Sequence, residues 1–178
     1  MGVAQINQMM ERWLEQLGRK SFGQLHYHGR PVLITENDHS LHLANGDLGI
    51  CVSTRHYEAG FDTETEERFV VIFRDKDSVR TVPTSALPQH ETSFAMSIHK
   101  SQGSEFDAVT LLLPSRESEQ ADQLLTRELL YTAVTRAKQS LAIFADNSAW
   151  ERALDNPVAR RSTPVSYTHL TLPTICSV

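Results

Sequence analysis

The stretch FAMSIHKSQGSEFDAVTLLLP, residues 94–114, decides the fold. Its two ends are apolar runs that read as buried strands. Between them, residues 97–106 set hydroxyls, a histidine, a lysine, a glutamine, a glycine and a glutamate side by side. Open parallel α/β sheets bind ligands beyond the carboxyl ends of their strands. Ser97, His99, Lys100, Ser101 and Gln102 therefore fall where a ligand would sit. Gly103 permits close backbone approach to a phosphate or sugar, and Glu105 can accept from a ribose hydroxyl. Lysine and serine together suit phosphate contacts, which position a nucleic-acid backbone without reading its sequence. A polar connector with no ligand fits the same residues, so chemistry alone leaves both readings open.

The flanking sequence extends the pattern. Downstream, Leu124, Leu125, Leu129, Leu130 and Val134 recur at helical spacing within residues 118–137. SLAIFAD (140–146) reads as a third strand, and NSAWERAL (147–154) as a short helix capped by Asn147 or Ser148. Strands alternating with helices imply a parallel α/β layer. Within RELLYTAVTRAKQSL (127–141), Arg136 lies near a helix end with Tyr131, Thr132 and Thr135 close by. An arginine so placed can reach a phosphate site as an arginine finger. It can equally serve the helix dipole.

Upstream, Val3, Ile6, Met9, Met10, Trp13, Leu14 and Leu17 mark an amphipathic helix that Gly18 should stop. Residues 22–90 differ. RPVLITEND, LGICVST, RFVVIF and SVRTV are short β-branched runs separated by turn signals, among them Asn45-Gly46-Asp47. They predict a small antiparallel barrel. Gly49 should relieve crowding after the turn. His26 and His28 would share one face of a strand, which could make half a metal site, but no Cys or third His is well spaced with them and they read as surface histidines. EAGFDTETEE (58–67) reads as an exposed acidic loop.

Composition narrows the function classes. The chain has 178 residues, 40% hydrophobic and 22% charged, with net charge −5 and pI near 5.9. That is a globular balance. Its acidity confines any nucleic-acid contact to a local patch. No apolar run is long enough to span a membrane, and the N-terminus lacks the pattern of a signal peptide. Two cysteines, Cys51 and Cys176, support neither a disulfide framework nor a zinc site. A cytoplasmic location follows.

Taken together, FAMSIHKSQGSEFDAVTLLLP and RELLYTAVTRAK resemble motifs V and VI of superfamily 1 helicases, most closely the RecD type, the alpha subunit of exodeoxyribonuclease V. GVAQIN (2–7) looks like the start of the helix after that family's motif IV, and GRPVLITENDHSLHLANGDLGI (29–50) resembles its barrel-lead segment. The resemblance covers residues 2–162. It implies an α/β fold in which residues 2–20 and 91–162 form the second RecA-like motor domain, with an SH3-like barrel, residues 22–90, inserted. It implies that Ser97, His99, Lys100 and Ser101 touch or border single-stranded DNA. Gln102, Gly103 and Glu105 would face the nucleotide, Arg136 would be the arginine finger on the γ-phosphate, and Tyr131, Thr132 and Thr135 would support Arg136 and link ATP state to DNA grip. ATP and Mg2+ are the implied cofactors, and the other subunits of an exodeoxyribonuclease V complex are the implied partners. The implied activity is ATP-driven 5′-to-3′ movement on DNA. A stand-alone DNA- or protein-binding barrel, or a superfamily 1 motor for RNA or conjugative DNA, are the alternative readings.

The phosphate loop G-x-x-x-x-G-K-[ST] is absent, and so is an acidic Mg2+ motif. The chain is thus expected to be a C-terminal piece that cannot hydrolyse ATP alone. VSYTHLTLPTICSV (165–178) resembles a translated sequencing-library adapter, and is expected to be an artefact outside the fold.

Overall fold

A computed structural model describes residues 2–54, 68–75, 78–113, 125–157 and 174–177. The chain divides into two compact units: residues 9–93, and residues 1–8 with 94–178. The line between these units falls inside the first helix.

That helix, α1 (Val3–Gln16), stops where the glycine predicts. Gly18 takes φ +66°; its N–H donates to the Glu15 carbonyl at 3.0 Å, and the Arg19 N–H to that of Leu14 at 2.9 Å. This Schellman pairing satisfies carbonyls the helix end would otherwise leave open. Lys20 turns back to the Glu15 carboxylate at 2.5 Å.

In the unit of residues 9–93, β1 (Pro31–Ile34), β2 (Leu48–Ser53), β3 (Phe69–Asp75), β4 (Ser78–Pro83) and β5 (His90–Thr92) form one antiparallel sheet of order β4-β3-β2-β1-β5. Val32, Ile34, Cys51, Val71, Phe73 and Val82 are buried in one cluster. Their two-residue alternation along each strand places them on one face. Gly49 pairs with Phe73 across the ladder. A Cβ there would stand 2.6 Å from Val71 Cγ1 and 2.7 Å from Phe73 Cε1, so lack of space requires this glycine.

The sheet is not the expected closed barrel. The consecutive strands β4 and β5 lie at opposite edges, with no ladder joining them. β5 is only three residues long, and Pro83 and Pro88 beside the two edges have no N–H to donate. The Asn45-Gly46 pair is also not a two-residue hairpin. β1 and β2 meet at Leu33 and Leu48, so thirteen residues, 35–47, follow β1. Of the Asn45-Gly46 pair Gly46 alone has positive φ, +101°, and His42 earlier in the connection has φ +53°. The turn closes the end of that connection through Asp47 N–H to the Ala44 carbonyl, with Asp47 Oδ2 accepting from Ala44 N–H. The acidic loop 58–67 lies outside the described residues.

Nor do His26 and His28 share a strand; both sit in turns. His28 Nδ1 accepts from Ser53 N–H at 3.4 Å. His26 belongs to a polar network around the buried Arg30, whose Nε donates to Thr92 Oγ1 at 2.9 Å and whose Nη1 reaches His26 Nδ1 at 3.3 Å. Glu11 accepts from both Tyr27 Oη and Thr92 Oγ1. Burial and the Glu11 carboxylate push the Tyr27 hydroxyl well above its usual pKa.

Arg30 can only donate, so His26 Nδ1 must keep its lone pair. Burial first, then the charge of Arg30 and the nearby His90, lowers the His26 pKa. The unfolded chain therefore takes up this proton more readily. Stability should fall as pH drops below about 6.5, and level off beneath the lowered native value. His26→Gln should flatten this slope when urea midpoints are compared between pH 7 and pH 5; an unchanged slope would assign the pH dependence elsewhere.

The other unit holds β6 (Ala95–Ser97), β7 (Phe106–Leu112), α2 (Arg127–Val134), β8 (Ala137–Phe144), α3 (Asn147–Asp155) and β9 (Thr174–Ser177). Its sheet order is β6-β9-β7-β8. β7 and β8 are parallel and joined through α2, the arrangement the alternating pattern predicts. Ile98, Val109, Leu111, Leu125, Leu129 and Leu130 form its core. α2 is capped by Thr126 Oγ1, which accepts from Leu129 N–H at 3.2 Å; the predicted helical turns at 118–124 lie outside the described residues. Asp146, not Asn147 or Ser148, is the N-cap of α3, without a side-chain bond.

The tail departs from expectation. Thr174–Ser177 joins the sheet, antiparallel to both β6 and β7. Its β-branched and apolar residues suit a strand, and it satisfies two strand edges that would otherwise face each other unpaired.

Candidate nucleotide and nucleic-acid junction

Ladder registers level Ser97, Leu112 and Phe144 across one end of the parallel strands, through Thr174. Phe106 and Ala137 pair at the other end. Residues 98–105 therefore leave the carboxyl end of β6 and arrive at the amino end of β7. The stretch is a traverse along the sheet, and its two halves are tied together by Gln102 N–H to the His99 carbonyl at 3.3 Å and Ser104 N–H to that of Ser101 at 3.1 Å.

The first half is a turn tightened by serines. Ser101 N–H donates to the carbonyls of Ser97 and Ile98, each at 3.2 Å. Ser101 Oγ donates to Ile98 O at 2.7 Å, and Ser97 Oγ accepts from Lys100 N–H at 3.4 Å. Ser97 and Ser101 are buried, so their hydroxyls shape the turn. His99 and Lys100 between them are exposed.

The second half carries Gln102, Gly103 and Glu105, all exposed. Gly103 has φ +86° and open space where a Cβ would stand. Backbone conformation, not crowding, requires this glycine. Glu105 lies 3.7 Å from Lys138.

Arg136 meets this half. At the end of α2 its Nε donates to the Thr132 carbonyl at 3.1 Å, its Nη1 to the Ser104 carbonyl at 3.0 Å, and its Nη2 to Thr135 Oγ1 at 3.3 Å. Its own carbonyl accepts from Phe106 N–H at 2.8 Å. The two stretches read separately along the chain are thus joined in space. The other hydroxyls bond back along the helix: Thr132 Oγ1 to Glu128 O at 2.9 Å, and Thr135 Oγ1 to Tyr131 O and Thr132 O at 3.0 Å. That is the local pattern of Thr in helices. Tyr131 is 72% exposed.

Ser104, Lys138 and Asn7 were not among the expected site residues. Asn7 Nδ2 donates to Ala95 O at 3.0 Å, and its Oδ1 accepts from Ala95 N–H at 2.8 Å. The amide thereby holds the first residue of β6. Its signal in the sequence is one polar residue next to Ile6 on the apolar stripe of α1. Among the described residues no group of three His, Cys, Asp or Glu side chains is placed to hold a metal ion, and no helix is long and apolar enough to cross a membrane.

Comparison with known proteins bears on the same region. The UvrD-like helicase C-terminal domain matches residues 92–144, from β5 to the end of β8. RecBCD enzyme subunit RecD of Haemophilus influenzae is 40% identical over 136 residues, 76% of this chain and 18% of that protein. RecD of Mycolicibacterium smegmatis is 40% identical over 160 residues, 89% of this chain and 26% of that protein. The ATP-dependent RecD2 DNA helicase of Deinococcus radiodurans is 27% identical over 135 residues, 76% of this chain and 17% of that protein. The chain thus spans at most about a quarter of these relatives.

Proposed function

We propose that residues 97–106 and Arg136 couple a nucleotide site to a DNA strand in an ATP-dependent DNA helicase of the RecD type, the proteins to which this chain is similar. The observation that carries this reading is the bond from Arg136 Nη1 to the Ser104 carbonyl, together with the traverse of residues 98–105 along the sheet. On this reading the segment passes a shift at one end to the other.

The roles divide accordingly. His99 and Lys100 face the DNA backbone, and Ser97 and Ser101 border it by fixing the turn that presents them. Gln102, Gly103 and Glu105 face the nucleotide. Arg136 reaches the γ-phosphate, where its guanidinium offsets charge on the transferring phosphoryl group. Thr132 and Thr135 hold the helix end that aims it, with Tyr131 beside them. ATP with Mg2+ supplies the phosphoryl group. The residues proposed to face the nucleotide include no group placed to hold Mg2+ among the described residues. Within the motor-domain reading, residues 2–20 and 91–162 complete the second RecA-like half, and the sheet of residues 22–90 is an insert in it. Single-stranded DNA, the other subunits of an exodeoxyribonuclease V complex and a cytoplasmic site of action follow from the same reading.

The test is a salt titration of single-stranded DNA binding by a longer protein carrying this region. Losing one phosphate contact through Lys100→Ala should reduce the slope of log affinity against log salt by about 0.7. An unchanged slope and affinity would remove Lys100 from the DNA site. Stronger stimulation of ATPase activity by RNA than by DNA would redirect the substrate assignment.

A further inference from the structure

In the unit of residues 1–8 and 94–178, a side chain closes one edge of the sheet. β6 lies at the end of the order β6-β9-β7-β8. Both backbone groups of Ala95 are taken up by Asn7: Nδ2 donates to the Ala95 carbonyl and Oδ1 accepts from the Ala95 N–H. In an antiparallel ladder, hydrogen-bonded and non-hydrogen-bonded pairs alternate. Ala95 therefore faces outward, Met96 faces β9, and Ser97 faces outward again. Building on the reading that His99 and Lys100 meet a DNA backbone, we propose that Asn7 is a positioning residue for that contact. Its amide anchors the outer edge of β6, from which the turn that presents both side chains hangs.

Anchor and turn are close neighbours on that edge. Ser97 lies about 7 Å further along the strand. Its carbonyl accepts from Ser101 N–H at 3.2 Å, and its Oγ from Lys100 N–H at 3.4 Å. β6 is only three residues long, so a fault at its first residue reaches its last. Ala95 is buried, and a buried donor and acceptor that lose their partner carry the full desolvation cost of both groups. The strand end would move to satisfy them, and the turn would move with it. Asparagine suits this place because one planar amide offers a donor and an acceptor side by side, as the backbone of a neighbouring strand would. The anchor comes from 88 positions away, carried by a helix and not by the flexible path of the turn itself.

Amide hydrogen exchange on the full chain tests this, read as protection at Ser101 with Val109 in β7 and Leu130 in α2 as references. Asn7→Ala removes both bonds. Protection at Ser101 should fall at least about tenfold, because exchange follows local opening, while Val109 and Leu130 keep theirs. Asn7→Asp separates positioning from mere support of the fold. Its carboxylate accepts but cannot donate, whereas the protonated acid does both. A proton that is hydrogen-bonded in this way raises the acid's pKa, so Ser101 in Asn7→Asp should match Asn7→Ala at about pH 8 and return toward wild type at about pH 5. Asn7→Ala should show no such return. In a longer protein carrying this region, Asn7→Ala should weaken oligothymidine binding by a factor similar to that of Lys100→Ala. An unmoved Ser101 amide, an equal loss at all three amides, or no return in Asn7→Asp would overturn the proposal. Unchanged binding in Asn7→Ala, where Lys100→Ala weakens it, would overturn the proposal alone. Unchanged binding in Lys100→Ala would instead remove the DNA reading beneath it.

Discussion

Arg136→Ala, placed in a longer protein that carries both halves of the motor, should lower ATP turnover by roughly 10³- to 10⁵-fold, the usual cost of removing an arginine finger. Binding of single-stranded DNA should survive, because the contacts proposed for it are those of His99 and Lys100 and not of Arg136. Arg136→Lys should not rescue turnover. Lysine keeps the charge but lacks the planar fork that reaches the carbonyls of Thr132 and Ser104 together. Steady-state ATPase assays with DNA present decide the matter. Near-normal turnover in a folded Arg136→Ala protein would return this residue to a purely structural role at the end of α2.

Gly49→Ala should cost about 1–3 kcal/mol, the range for overfilling a packed core. The new methyl would meet Val71 and Phe73 at under 3 Å. Both side chains are fully buried in the sheet core, so neither can swing into solvent. Urea denaturation of the wild-type and Gly49→Ala proteins measures the loss. Pairing the substitution with Val71→Ala should recover part of it, since neighbours in contact do not add. An unchanged midpoint for Gly49→Ala would mean that β2 and β3 can separate locally at little cost.

What could be read beforehand followed local rules. Gly18 as a helix stop needs only the residues on either side of it, and α1 ends as expected. The β7–α2–β8 unit was legible because apolar periodicity switches there between strand and helix. Gly49 was legible as a small residue in a β-branched run. The failures are non-local. Whether β4 meets β5 depends on how far a sheet curls, and no window of sequence contains that. Asn45-Gly46 looked like a tight hairpin because the thirteen-residue connection between β1 and β2 leaves no mark in the dipeptide itself. His26 and His28 alternate as strand residues do, yet Gly29 with φ +84° puts a turn there. In the site, residue type showed which chemistry was present but not which way each group faces. Ser97 and Ser101 have hydroxyls like any phosphate-binding serine, and only burial shows that they are spent on the turn. The tie between Arg136 and Ser104 spans 32 positions, which no spacing rule could have supplied.

Both long-reach anchors of the Arg136 guanidinium are main-chain carbonyls, those of Thr132 and Ser104. Every amino acid carries that oxygen. Side-chain replacements at positions 104 and 132 therefore leave those two acceptors in place as long as the backbone path holds. The seat of the arginine is in this respect inherited from the fold and not from its neighbours' identities, so substitutions can accumulate around it without unseating it.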